Sequence, residues 1–184
     1  FRLDRDALDA FLARRAPGGT KISTQRKEAD KPEFLSGLKD GVTCGAPLAA
    51  VIHNTDTRSG DYDELNDVPR PAHADYTAQL KFKGAQDVAG GGHFSGRLTA
   101  PLCIAGGICL QLLEKEDIYI AAHIASIGMV CDAAFDPVGI SPDLFAALRS
   151  VALPVLDQNR GRDMLAAIDE ARAAVEDVKM TVEA

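Results

Sequence analysis

The chain of 184 residues carries 20 Lys and Arg against 27 Asp and Glu, a formal charge of −7 with its four histidines neutral. That balance argues against a sequence-indifferent nucleic-acid binder, whose phosphate contacts need a cationic face. A chain of this length can bury roughly 70% of its unfolded surface, and with no Trp and only 5% aromatics its core is expected to be built from Ala, Leu, Ile and Val.

Residues 4–15, DRDALDAFLARR, place Leu8, Phe11 and Leu12 at helical spacing with acids early and arginines late, and PGG at 17–19 ends the helix. PLAAVIHN at 47–54 is an apolar run read as a short buried strand. The polar stretch DTRSGDYDELNDVPRP that follows has turn signals and no apolar period, so it is read as an ordered or semi-ordered surface loop. In DYTAQLKFK, Tyr76, Ala78, Leu80 and Phe82 alternate with polar residues, the period of a half-buried strand, although a helical turn fits the composition equally. GGG at 90–92 breaks the chain before SGRLTAPLCIAGGICLQLLEKE, which is read as a buried helix whose Gly and Ala permit close packing. IYIAAHIASIG at 118–128 is read as a strand, DAAFDPVGIS as a turn region, 160–176 as the clearest helix, and VKMTVEA as a final strand.

No apolar run approaches the ~20 residues that span a bilayer, and the N-terminus lacks the apolar block of a secretory signal. A soluble, cytoplasmic protein with neither membrane nor nucleic acid as partner is expected. Cys44, Cys103, Cys109 and Cys131 form no CxxC pair and are expected to be buried thiols. Phe1 in first place and a strand-like last segment lead to the expectation that both ends are cut.

Three segments carry residues suited to chemistry. His73 in RPAHADYT lies between Arg70 and Asp75, where an imidazole near neutral pH exchanges protons beside an anion-binding arginine; the plain reading is a solvated loop histidine. GGGHFSGR at 90–97 sets flexible backbone, a hydroxyl and Arg97 before a helix, an arrangement that suits phosphate, though glycine clusters are commonly just loops. Arg14, Arg15, Lys21, Arg26 and Lys27 offer several cations for a multiply charged small acid, against a default of surface solvation. His53 and His123 are read as structural. No HExxH, no Cys/His pair at zinc spacing, no GxSxG, no GxGxxG and no phosphate loop is present, so no metal is expected.

Three blocks in order, SGLKDGVTCGAPLAAVIHNTDTRSGDY, RPAHADYT and GAQDVAGGGHFSGRLTA with its small-residue helix, resemble the chorismate synthase family across nearly the whole chain. The resemblance implies an α+β fold, a layered β-α-α-β sandwich with internal duplication, here one partial domain over 1–184, and a homotetramer. It implies a lyase of the shikimate pathway converting 5-enolpyruvylshikimate 3-phosphate to chorismate by a 1,4-anti elimination of phosphate, with reduced FMN and NADPH as a source of its reduction. Position by position, His73 matches the family's histidine expected to help protonate the flavin. His93, Phe94 and Ser95 match flavin contacts, with Arg97 and Thr99 beside them. Arg14, Arg15 and Lys21 match cations for substrate or nicotinamide phosphate, Arg15 and Lys21 serving the cofactor as well; Arg97 joins the substrate set.

Departures are equally specific. Where the family usually reads RGGGRSSARET this chain reads AGGGHFSGRLT, so Ala89, His93, Phe94, Gly96 and Leu98 replace two arginines, a serine, an alanine and a glutamate, the pattern of a divergent subgroup. The family's FGESHG block and its C-terminal portion are absent, and the polypeptide alone is expected to be weak or inactive and to oligomerise or aggregate through open apolar faces such as that of 101–113. A non-catalytic or truncated paralogue that keeps only an anion- and flavin-binding scaffold is the alternative.

Overall fold

The structure is a computed structural model and describes residues 1–17, 28–55, 67–71, 73–174 and 180–183. Helices and antiparallel sheets are mixed along the chain, an α+β arrangement that divides into two compact units, Phe1–Leu112 and Leu113–Ala184, where the sequence reading has one domain.

In the first unit, helix α1 (Arg5–Ala13) starts where Asp4 Oδ1 accepts from the Ala7 N–H at 2.9 Å, satisfying one of the helix's orphan donors. Its face of Leu8 and Leu12 is buried with Leu3 and Ile104. Strand β1 (Glu33–Ser36) pairs antiparallel with β4 (Ala49–Val51), and the hairpin β2 (Leu38–Lys39) and β3 (Val42–Thr43) turns through Asp40 and Gly41, both at positive φ. That Asp-Gly pair is the residue chemistry a tight hairpin demands. β4 forms within the apolar run at 47–54, but it is half-buried to exposed rather than a core strand.

Residues 76–83 are not a strand. They form α2 (Asp75–Phe82), which closes on Lys83 and Gly84, both at positive φ. Only Asp75 and Ala78 are buried, while Tyr76 and Leu80, placed by alternation on a buried face, are 58% and 62% exposed. A nine-residue window satisfies both periods, and the αL stop at Lys83–Gly84 closes a helix instead of continuing a ladder.

Two short 3-10 turns (Ala89–Phe94 and Gly96–Leu98) lead into α3 (Thr99–Glu114). Expected as buried, α3 buries only Ala100, Ile104 and Gly107, and Leu102 is 71% exposed. The close packing expected of its glycines is real at one of them: a Cβ on Gly107 would stand 2.6 Å from Leu8 Cδ1 and 2.9 Å from Phe11 Cδ1, whereas one on Gly106 meets nothing within 4 Å. Gln111 accepts from the Asp4 N–H and donates to the Asp4 carbonyl, both at 2.9 Å, which fixes α3 against the start of α1. The helical stretch Gly96–Glu114, 19 residues with a most apolar window of mean hydropathy 1.4, is long and apolar enough by length and composition to cross a membrane. Counting uninterrupted apolar runs missed it because Arg97, Thr99, Pro101 and Gln111 divide the run. A core helix of a soluble protein passes the same test.

The second unit is a three-stranded antiparallel sheet in the order β6 (Val130–Cys131), β5 (His123–Ile127), β7 (Met180–Glu183), against which α5 (Gln158–Ala174) packs. Ile124, Ile127, Val155 and Met164 form its core. The strand read at 118–128 begins only at His123; Ile118 and Ile120 are exposed, and the Ile120 carbonyl accepts from Arg149 of α4 (Pro142–Ser150) instead of a ladder partner. Helix α4 begins directly after the region read as a turn, with that region's last residue, Ser141, as its N-cap and Pro142 in its first turn. The cysteines are not buried thiols: Cys44, Cys109 and Cys131 are exposed and Cys103 is intermediate. Apolar neighbours in sequence placed them inside, but Cys44, Cys109 and Cys131 lie on outward positions of a loop, a helix and an edge strand, while Cys103 packs partly buried against the core of Leu3, Leu8, Leu12 and Ile104.

His123 and Asp132, both 0% exposed in their side chains, form the polar centre of this unit through a 2.9 Å contact from Nδ1 to Oδ2. Asp132 also accepts from the Leu156 and Asp157 N–H groups, joining the β5–β6 hairpin to the approach of α5. Burial raises its pKa, but the backbone donors of Leu156, Asp157 and Ala133, with His123, outweigh that and hold it below the usual carboxylate value.

Two predictions follow from these contacts. Gly107→Ala overpacks the α1–α3 crossing and lowers unfolding free energy in denaturant by about 1–3 kcal/mol, while Gly106→Ala raises it by up to about 1 kcal/mol. A depressed carboxyl contributes stability that is complete above its unfolded pKa of roughly 3.9 and is lost as pH falls through the lower native value. Denaturation midpoints of the second unit therefore drop as acid is added below that point, and Asp132→Asn, already weaker at neutral pH, shows a shallower drop.

Candidate active site

The RPAHAD segment turns through a hydrogen bond from the His73 N–H to the Arg70 carbonyl at 3.3 Å and then enters α2 at Asp75. The turn folds Arg70 back onto the Asp75 carboxylate in a two-pronged pair, Nε to Oδ2 at 2.7 Å and Nη2 to Oδ1 at 2.9 Å, while His73 Nδ1 lies 2.6 Å from Oδ1. The Arg70 guanidinium holds the Asp75 carboxyl well below the usual carboxylate range despite burial. Arg70, read as an anion-binding flank, is engaged inside the protein.

Asp75 also lines a cavity of about 340 Å³ whose walls include Phe82, Val88, Gly92, His93 and Phe94, with Asp87 among its polar groups. The wall closes on itself at Gly92, at φ +64, where a Cβ would stand 2.2 Å from the Asp87 carbonyl oxygen. Only glycine permits that turn. His93 and Phe94 meet edge to face at 5.5 Å between ring centroids.

Beyond the turn, Ser95 Oγ accepts from the Arg97 N–H at 3.3 Å and caps the short 3-10 segment. Arg97 then reaches Asp30 Oδ1 at 2.6 Å, Glu28 Oε2 at 3.6 Å and Asn54 Oδ1 at 3.1 Å. Arg15, just past α1, approaches the same Asp30 from the other side at 2.8 Å and donates to Thr99 Oγ1 through Nε and Nη2 at 3.1 and 2.8 Å. The Asp30 side chain is 1% exposed and those of the two arginines 24%. Glu28 in turn accepts from the Thr55 N–H and hydroxyl. A buried carboxylate pair thus holds two guanidinium groups in place. Among the described residues, no group of three or more His, Cys, Asp or Glu is placed to hold a metal ion.

A family model described as Chorismate synthase matches residues 1–184. The chain belongs to the chorismate synthase family. Curated chorismate synthases similar to it include those of Lancefieldella parvula, 47% identical over 73% of this chain and 36% of that protein, Thermococcus gammatolerans, 39% identical over 97% and 48%, and Aeropyrum pernix, 38% identical over 100% and 48%. A crystal structure of chorismate synthase covers 96% of this chain and 47% of its own, with a TM-score of 0.62 at 22% identity, a likeness of fold. The chain spans about half, or less, of the length of these relatives.

Of the residues the family resemblance nominates, His93 and Phe94 line the cavity beside Asp75, His73 contacts Asp75 without being among the lining residues, and Ser95, Arg97 and Arg15 lie in the same unit. Arg14 is exposed immediately after α1. Lys21, Arg26, Lys27, Ala72 and 56–66 of the polar loop lie outside the described residues. His53 is exposed on β4's continuation with Glu33 at 3.1 Å. The sequence reading missed Glu28 and Asp30. Their signal was present as two acids spaced i, i+2 directly after the basic run QRK, where a cationic site would otherwise repel itself.

Removing the shared counter-ion tests this reading of the cluster. Asp30→Ala leaves two half-buried guanidinium groups facing each other, and is expected to cost about 3 kcal/mol of stability in denaturant unfolding; Glu170→Ala, which removes an exposed carboxylate on α5, serves as the control.

Proposed function

We propose that the protein acts as a chorismate synthase, a lyase that takes 5-enolpyruvylshikimate 3-phosphate to chorismate and inorganic phosphate in aromatic amino acid biosynthesis. The single observation that carries the proposal is that, inside a chorismate synthase family chain, Asp75 lines one cavity with His93 and Phe94 and holds His73 by a direct contact. The reaction removes a proton from one carbon and phosphate from another and leaves a second ring double bond, with no net redox change.

The walls suit a flat aromatic ring system: Phe82, Val88 and Phe94 are apolar and His93 offers a ring nitrogen. Reduced FMN, when bound, supplies electron density to the substrate as phosphate leaves. His93, Phe94 and Ser95 would hold the cofactor, with Arg15 and Lys21 on its charged end and NADPH as the source of reduction. Arg14, Arg15, Lys21 and Arg97 would take the substrate's carboxylates and phosphate. Arg15 and Arg97 keep an exposed quarter of each side chain, through which an anion can reach them while Asp30 keeps them from drifting. His73 moves a proton at a ring nitrogen. A cytoplasmic homotetramer completes the proposal.

A second reading, a non-catalytic paralogue that retains the scaffold, is favoured by one feature: Glu28 and Asp30 already neutralise the two arginines. Anaerobic titration with reduced FMN and 5-enolpyruvylshikimate 3-phosphate separates the two. The enzyme shifts the flavin absorbance and releases phosphate, and His73→Ala slows that release roughly 10²–10⁴-fold with binding retained. Binding without phosphate release supports the paralogue. A protein that takes neither ligand refutes both.

A further inference from the structure

The Asp75 carboxylate, 8% exposed, is met on both oxygens. Oδ2 accepts from the Arg70 backbone N–H at 3.1 Å and from its Nε–H at 2.7 Å; Oδ1 accepts from Nη2–H at 2.9 Å and faces His73 Nδ1 at 2.6 Å. An ionised carboxylate only accepts, with about four lone-pair positions. The hydrogen in the Nδ1 contact therefore belongs to the imidazole. Arg70 Nη2 lies 3.1 Å from Nδ1 and 3.2 Å from Nε2, and a guanidinium only donates. Once Nδ1 carries its hydrogen toward Asp75, Nε2 alone has a lone pair for that second Nη2–H. An Nε2–H tautomer would set two lone pairs against each other at 2.6 Å.

We infer that Asp75, gripped by Arg70, is a positioning residue that fixes the tautomer of the His73 ring, Nδ1 carrying the hydrogen and Nε2 the lone pair. The use of that nitrogen rests on the proton role proposed for His73; the tautomer itself does not. Arg70 and Asp75 cancel each other's charge, so the imidazole is oriented by hydrogen bonds and not by a net field. Arg70 serves as the second link: its fork saturates Oδ2 and turns Oδ1 toward the ring.

Long-range proton–nitrogen correlation spectra of the nitrogen-15-labelled chain read the tautomer directly, with His73 assigned by the signals lost in His73→Gln. The neutral ring is expected to show Nδ1 in the protonated region and Nε2 in the unprotonated region. In Asp75→Asn the amide oxygen stays with the donors at the Oδ2 position and its NH2 faces the ring, so the two resonances exchange places, as when the aspartate of a serine protease triad becomes asparagine. Arg70→Lys keeps the charge, loses the fork and moves both resonances toward their average. A native ring that is Nε2–H or averaged like free imidazole overturns the inference, as does an Asp75→Asn ring that remains Nδ1–H; if that variant does not fold, the native and Arg70→Lys spectra decide. The measurement needs neither flavin nor substrate, so its failure is distinct from a failure of the enzyme reading.

Discussion

A carboxylate taken out of water has to be supplied with hydrogen-bond donors, and three aspartates shape this protein through that demand. Asp30 draws in Arg15 and Arg97. Asp75 draws in Arg70 and His73. Asp132 draws in His123 and two backbone amides ahead of α5. Each aspartate ties segments that would otherwise be free to move, and the first two set side chains that the proposed function uses. A surface ion pair would leave those groups adrift among rotamers; burial makes each bond directional because an unmade one is expensive.

The same demand reshapes the electrostatics of the site. A net charge of −7 is awkward for the polyanionic substrate proposed here, yet several of the acids face inward and hold arginines in place. The cations nearest the 93–97 turn are fixed but partly neutralised, and an incoming phosphate competes with Asp30 and Glu28 for them. Preorganisation is gained and raw attraction is lost. Under the proposed function, Ala89 and His93, which stand where the family resemblance puts arginines, act in the same direction.

Helix α3 shows the limits of reading burial from composition. Its residues are apolar on nearly every side, but its contacts are made along the stripe of Ala100, Ile104 and Gly107. There the absence of a side chain on Gly107 lets Leu8 and Phe11 approach, and Leu98, Leu102 and Leu112 remain exposed. Hydropathy reports how much a helix gains from leaving water, whereas the partner surface decides which face does so.

Sequence by itself determined α1, the existence of α3 and α5, the final strand, the family, and the three blocks that carry His73, His93–Ser95 and Arg97, because each is encoded locally in periodicity, caps or an unusual string of residues. Tertiary structure alone decided that 75–82 is a helix, that 118–122 stays outside the sheet and that the cysteines face outward, since a short window satisfies two periods until packing chooses between them. It also decided which acid meets which base. Arg15 finds Asp30, and Arg97 reaches back across more than sixty residues to it. No local signal encodes that meeting, because its energy exists only once both partners have left the water together.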